Sequence, residues 1–206
     1  MTLGAPAGDV LVWSCDDETQ AISSAAVGGG RSTPTWVVNI GVAGNYSRTD
    51  LDVHAAEVAQ ALDLVGEGIA LFTSAQLKFC RSANVDGVTV NCTAGIGKPT
   101  FAASSDLSAS EWNPGTINIV ATVPRPLTEA AAVNAVMTLT EAKSQALNEL
   151  GVPGTGTASD AAVVLWPSVG ETESFCGPRS FLGSRLANAT FEAVHASAVA
   201  THPGLR

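Results

Sequence analysis

Thr116-Ile117-Asn118-Ile119-Val120-Ala121-Thr122-Val123 is the clearest strand in the chain, and Pro124-Arg125-Pro126-Leu127-Thr128-Glu129 ends it and opens a helix. β-Branched residues fill the run, the two prolines stop it, Thr128 is placed as an N-cap and Glu129 as a first-turn acid. The apolar pattern then continues at helical spacing to Leu150, where Gly151 and Pro153 close it. Such a helix of about 22 residues would span roughly 33 Å.

Upstream, short strands are predicted at residues 10–13, 21–24 and 36–42, with Gly28-Gly29-Gly30 and Pro34 as a turn between the last two. Asp50-Leu51-Asp52 starts a helix in which His54, Val58, Ala61, Leu62 and Val65 recur at helical spacing as far as Gly66. Residues 68–74 and 77–81 read as strands, and Asp86-Gly87 as a turn before a strand at 88–93. Residues 102–114, rich in Ala, Ser and Asp, read as a mobile surface loop. A strand at 161–166 and a helix at 181–200 complete the chain. Several strands precede the first helix, so a strict βαβ alternation and a Rossmann unit are both disfavoured. The expected fold is α+β: a largely antiparallel or mixed sheet covered by two or three helices, in one domain over residues 1–206 and without an internal repeat.

The 206 residues are 46% apolar and 14% charged, enough for a substantial core and contrary to disorder. A net charge of −9, with ten scattered basic residues, argues against a nucleic-acid partner and for a small molecule. There is no signal-like start and no run of 18 apolar residues, which predicts a cytoplasmic protein with no membrane partner. Cys15, Cys80, Cys92 and Cys176 lack metal-finger spacing and read as reduced thiols, with a Cys80–Cys92 pairing as the alternative. His54, His195 and His202 form no HExxH pattern, so no metal site is expected. Cys15 and Cys176 have no base beside them in sequence, and no G-x-S-x-G elbow is present. Thr93-Ala94-Gly95-Ile96-Gly97-Lys98-Pro99-Thr100 superficially resembles a phosphate loop but lacks its first glycine and has Pro99 at the Ser/Thr position.

Two polar segments stand out. On the long helix, Val133, Val136, Thr140, Lys143, Leu147 and Leu150 fall along one stripe, which puts Lys143 in an apolar face where its charge needs a partner. Glu141, two residues away, lies about 200° round the helix and cannot pair with it; the plain alternative is a snorkelling lysine and a solvated glutamate. The second segment, Gly154-Thr155-Gly156-Thr157-Ala158-Ser159-Asp160, combines close backbone approach with hydroxyls and a carboxylate; it either holds a polar ligand or satisfies the preceding helix end. Asn39 and Asn118 interrupt apolar strands, and their amides need partners if they point inward.

The ordered series Gly115-Thr116-Ile117-Asn118-Ile119, Pro126-Leu127-Thr128-Glu129-Ala130-Ala131, Thr140-Glu141-Ala142-Lys143-Ser144-Gln145-Ala146-Leu147 and Thr155-Gly156-Thr157-Ala158-Ser159-Asp160 resembles the adenosylcobinamide amidohydrolase family. Ile22-Ser23-Ser24-Ala25 before the three glycines, Phe72-Thr73-Ser74-Ala75, and Cys176-Gly177-Pro178 before Leu182-Gly183 extend the match over about residues 20–195. The resemblance implies hydrolysis of the amide that joins the aminopropanol arm to the corrinoid, giving adenosylcobyric acid, with the cobalt corrinoid as substrate and no cofactor of the protein's own. For that chemistry we expect Glu141 or Asp160 as base and Lys143 as oxyanion stabiliser or proton donor. Asn39, Asn118, Thr140, Thr157 and Ser159 are expected to bind and position the substrate. The alternatives are a noncatalytic corrinoid-binding or carrier protein and a hydrolase of another small amide; a homo-oligomer is compatible with each.

Overall fold

Alternation along one strand explains the architecture. In β5 (Trp36–Gly41), Trp36, Val38 and Ile40 pack with Ala55, Val58 and Ala59 of helix α1 (Leu51–Ala61), whereas Val37 turns the other way, against Val120, Val163 and Leu165. Both faces of the strand are therefore buried, one under a helix and one under a second sheet. The computed structural model describes residues 2–5, 8–103 and 115–205.

Besides β5, the strands are β1 (Thr2–Ala5), β2 (Gly8–Ser14), β3 (Thr19–Ser23), β4 (Gly30–Ser32), β6 (Gly68–Thr73), β7 (Arg81–Val85), β8 (Val88–Ala94), β9 (Ile117–Thr122) and β10 (Ala161–Pro167). Helices α2 (Glu129–Glu149) and α3 (Phe181–Thr201) complete the fold. The strands divide into two mixed sheets, ordered β1-β2-β5-β6 and β4-β3-β10-β9-β8-β7. Helix α1 covers the outer face of the first, and α2 and α3 cover the outer face of the second, where Ile117, Ile119, Val164 and Trp166 meet Leu139, Leu147, Leu182 and Leu186. The result is a four-layer α/β/β/α stack, an α+β fold as expected, with the strands in two sheets rather than one.

Each sheet contains the same sub-motif. A hairpin (β1–β2 or β7–β8) is followed by a strand antiparallel to its second member (β5 or β9), and a helix (α1 or α2) then crosses over to a parallel neighbour (β6 or β10). Neither this repeat of topology nor its two βαβ crossovers is visible as a repeat of residues.

Local expectations hold where short-range chemistry decides. Thr128 caps α2, its side chain accepting from the Ala131 N–H, and Ser180 caps α3 through the Gly183 N–H. Elsewhere the chain differs. Helix α1 ends at Ala61, and Asp63 and Gly66 take left-handed conformations beyond it. Residues 77–79 form a 3₁₀ turn that buries Leu77, and the strand starts only at Arg81. The inward face of α2 is built on Ala131, Ala132, Ala135, Ala142 and Ala146, small residues that allow close packing, and it includes Leu139, Lys143 and Leu147. Val133, expected in the stripe, is instead exposed. Most of the expected mobile loop, residues 104–114, lies outside the described residues.

Candidate active site

Where β5 and β6 end and β9 and β10 begin, the space between the sheets turns from apolar to polar. Thr116 and Asn118 share one face of the strand entering β9, two residues apart. The Asn118 amide donates to Asn39 Oδ1 at 2.8 Å and to the Phe72 carbonyl at 3.0 Å, while Asn39 Nδ2 donates to Thr93 Oγ1 at 2.9 Å. The two strand asparagines thus satisfy one another across the sheets. Because the Phe72 carbonyl can only accept, the Asn118 nitrogen is fixed on that side and Oδ1 is left as the free acceptor, buried without a hydrogen-bond partner.

Asp160 stands at the start of β10 and closes this region. Its Oδ1 accepts from the Ile117 N–H at 2.9 Å and from Thr157 Oγ1 at 2.5 Å; its Oδ2 accepts from the Thr157 N–H at 3.1 Å and from Lys143 Nζ at 2.5 Å. The Lys143 and Asp160 side chains are only 11% and 12% exposed, so the lysine that periodicity turned inward is met by a carboxylate from the next strand. Gly156 makes the pairing sterically feasible: a Cβ there would lie 2.2 Å from Asp160 Oδ2 and 2.5 Å from Lys143 Nζ. With four donors on two oxygens, Asp160 is an anchored anion that orients the ammonium group.

Two hollows meet at this carboxylate. A cleft of about 300 Å³ is lined by Ser24, Phe72, Thr116, Asn118, Ser159 and Asp160 among others. A smaller one of about 230 Å³ reaches Thr140, Lys143 and Asp160 along α2. Ser24, Asp160 and Ala161 line both. Thr116 Oγ1 and Ser159 Oγ are hydrogen-bonded at 2.7 Å on the cleft wall, and Ser24 Oγ accepts from the Ala162 N–H at 3.0 Å.

The fold therefore assembles Lys143, Asp160, Thr157, Ser159 and Asn118, with Asn39 behind Asn118 and Thr140 at the edge of the smaller hollow. Glu141 is left out: it is exposed on the outer side of α2, lines neither hollow and has no ion-pair partner among the described residues. Ser24 and Thr116 were not singled out from sequence as site residues. For Thr116 a signal existed, since it precedes Asn118 by two positions and must share its face; for Ser24 nothing local marked it apart from Ser23. Cys15 and Cys176 line neither hollow, and burial, with Asp16 and Glu173 respectively adding to it, pushes each thiol up to about 11. Among the described residues no three His, Cys, Asp or Glu side chains converge as a metal site, and no helix is long and apolar enough to cross a membrane.

Fold and site together define a four-layer protein with a largely apolar inter-sheet cleft that carries a cluster of polar groups at one end, beside a buried lysine–aspartate pair. The family model for adenosylcobinamide amidohydrolase matches residues 5–203. The chain belongs to that family, and so to the hydrolases that act on a carbon–nitrogen amide bond. It is 29% identical over 157 residues to an adenosylcobinamide amidohydrolase of Methanosarcina mazei, covering 76% of this chain and 72% of that one. It is 36% identical over 133 residues to one of Halobacterium salinarum, covering 62% of this chain and 57% of that one. A crystal structure of a Pyrococcus horikoshii protein aligns over 94% of this chain and 76% of that one at 13% identity, with a TM-score of 0.42.

Proposed function

We propose that this protein hydrolyses the amide joining the aminopropanol arm to the corrinoid of adenosylcobinamide, releasing adenosylcobyric acid for reuse, and that it does so at the Lys143–Asp160 pair. The observation that carries this reading is the buried Lys143–Asp160 pair, whose carboxylate lines both adjoining hollows and whose ammonium lines the smaller, beside the hydroxyls of Ser24, Thr116 and Ser159 and the Asn118 amide. A corrinoid is far larger than a cleft of about 300 Å³, so the amide-bearing arm enters while the ring stays outside. The apolar hollow of about 600 Å³ along residues 44–49 shares Leu51 with the cleft and gives the ring a surface to rest on.

Where the cleft and the smaller hollow meet at Asp160, Lys143, which lines the smaller one, supplies positive charge to the developing oxyanion and the proton for the leaving amine; water adds to the carbonyl carbon, the carbon–nitrogen bond breaks, and the proton lost by the water restores the ammonium. Asp160 holds Lys143 in place. Asn118, Thr116, Ser159 and Ser24 position the amide and the water, Thr157 holds Asp160, Asn39 fixes Asn118, and Thr140 borders the arm's path. The general-base role is not given to Glu141. On these assignments Lys143→Met lowers amide cleavage about 10²–10⁴-fold, Asp160→Asn lowers it strongly, and Glu141→Gln leaves it near normal. Turnover is followed by mass spectrometry of adenosylcobinamide and its products, alongside ligand affinity. Near-normal cleavage by folded Lys143→Met and Asp160→Asn proteins would sink the assignment. The four engaged acceptor positions of Asp160 favour one competing reading, a corrinoid carrier without chemistry, which predicts that adenosylcobinamide is bound and recovered intact.

A further inference from the structure

The chain carries 19 acidic against 10 basic residues. Yet one hollow of about 390 Å³, lined by Ser74, Gln76, Gly97, Lys98, Gly115 and His202 among others, has no carboxylate among the described residues that line it. It is the next space along from the cleft: Thr116 lines the cleft and Gly115 lines this hollow.

Its walls present hydrogen-bond donors. After β8 ends at Ala94, the Gly95 N–H donates to the Thr116 carbonyl at 3.0 Å, and Ile96 plugs inward with 8% exposure. The Ile96 N–H donates to His202 Nε2 at 3.3 Å, so the imidazole carries its own proton on Nδ1 and is itself a donor. Gly97 and Lys98 then turn outward, and neither backbone N–H has a partner among the described residues. Both nitrogens border the hollow beside Gly115, where a Cβ would lie 3.5 Å from Gly97 N and 3.7 Å from Lys98 N and closest, at 3.0 Å, to the Gly95 carbonyl oxygen. The missing side chain leaves a recess bordered by two successive N–H groups, which receive oxyanions in other settings, and an anion held by them has to lie on the side away from the Gly95 carbonyl. Lys98 is exposed and has no ion-pair partner among the described residues. The adjoining hollow, which shares Ser74 and Gln76, adds Lys78 and one acid, Asp9.

We propose that this hollow is a second binding site, for a phosphate-type oxyanion, with the Gly97 and Lys98 N–H groups and the Lys98 ammonium as principal donors and His202, Ser74 and Gln76 around them. It is not a nucleotide-hydrolysing phosphate loop. Residues 99–103, which follow the segment, form no helix, and Thr100 bridges instead to Gly156, its N–H donating to the Gly156 carbonyl at 2.9 Å. The segment that carries the site is therefore joined to the loop that positions Asp160. The proposal does not depend on the amide-cleaving reading, because binding is measured without turnover.

The test is calorimetric titration of the full chain with inorganic phosphate and, separately, with glycerol 3-phosphate, at an ionic strength held constant with potassium chloride. One-site binding is expected, weakened roughly tenfold or more in Lys98→Ala and equally in Gly115→Ala, whose methyl group would fill the recess. Lys78→Ala, in the adjoining hollow, should bind as the wild type does. Tighter binding of the free anion supports a site for phosphate itself; tighter binding of the ester supports a site for a phosphate carried on a larger ligand. Absence of binding by the wild type, or Lys98→Ala binding unchanged with the fold confirmed by circular dichroism, overturns the proposal.

Discussion

Gly156 has no side chain, and the Lys143–Asp160 pair occupies the space that one would need. Gly156→Ala drives a methyl into two charged groups that have little room to retreat. We expect a loss on the order of 3 kcal/mol, as for breaking a buried ion pair, read as a lower urea midpoint, together with loss of any amide cleavage. An unchanged midpoint would mean that the loop moves aside freely. Periodicity alone showed that Lys143 faces inward and needs a partner, because one helix turn determines which face a residue occupies. It could not show which carboxylate answers. Asp160 lies 17 residues on, beyond the helix end and a loop, and Glu141, nearer in sequence, is turned away by the same helical geometry that turns Lys143 in.

Among the elements, the two long helices carry side-chain caps while α1 does not. Thr128 accepts the Ala131 N–H at 3.2 Å, so Thr128→Ala should cost about 1 kcal/mol, measured by chemical denaturation. Asp50 precedes α1 but makes no cap hydrogen bond; its carboxylate is drawn to Arg48 instead, at 2.8 Å, and Asp50→Ala should produce the smaller change. An equal effect of the two substitutions would contradict this distinction. From sequence one of the acids at 50 and 52 is expected to cap α1. The preference of a residue type for a cap position is local, but a nearby guanidinium competes for the same oxygens, and only the folded loop brings it there.

For the whole molecule, pH reports on the layer between the first sheet and α1. His54 is buried there against Phe72, its Nδ1 2.7 Å from the Tyr46 hydroxyl. Burial first, then the Arg48 charge, holds its pKa below the ordinary 6.5. The unfolded chain therefore binds more protons than the folded one as pH falls below 6.5, so the stability from this site is complete above 6.5 and declines as pH drops towards the lowered folded value. The urea midpoint of the wild type should fall between pH 7.5 and 5.5, and that of His54→Asn should fall less; equal slopes would remove His54 as the cause. The acids around Arg48 act lower down: Asp50, held down to about 2 by that guanidinium, contributes only to losses below the ordinary carboxylate range. By itself the sequence determined the elements built from contacts between near neighbours: the strand at 116–123, the long helix with its cap and its inward lysine, and an α+β composition. Tertiary structure alone decided the division into two sheets with a repeated topology, the Asn39–Asn118 hydrogen bond across 79 residues, the choice of Asp160 over Glu141, and the donor-lined hollow at Lys98. The physical reason is range. Side-chain periodicity and capping act over about one helical turn or strand repeat, whereas burial in a shared layer pairs groups that no local pattern relates.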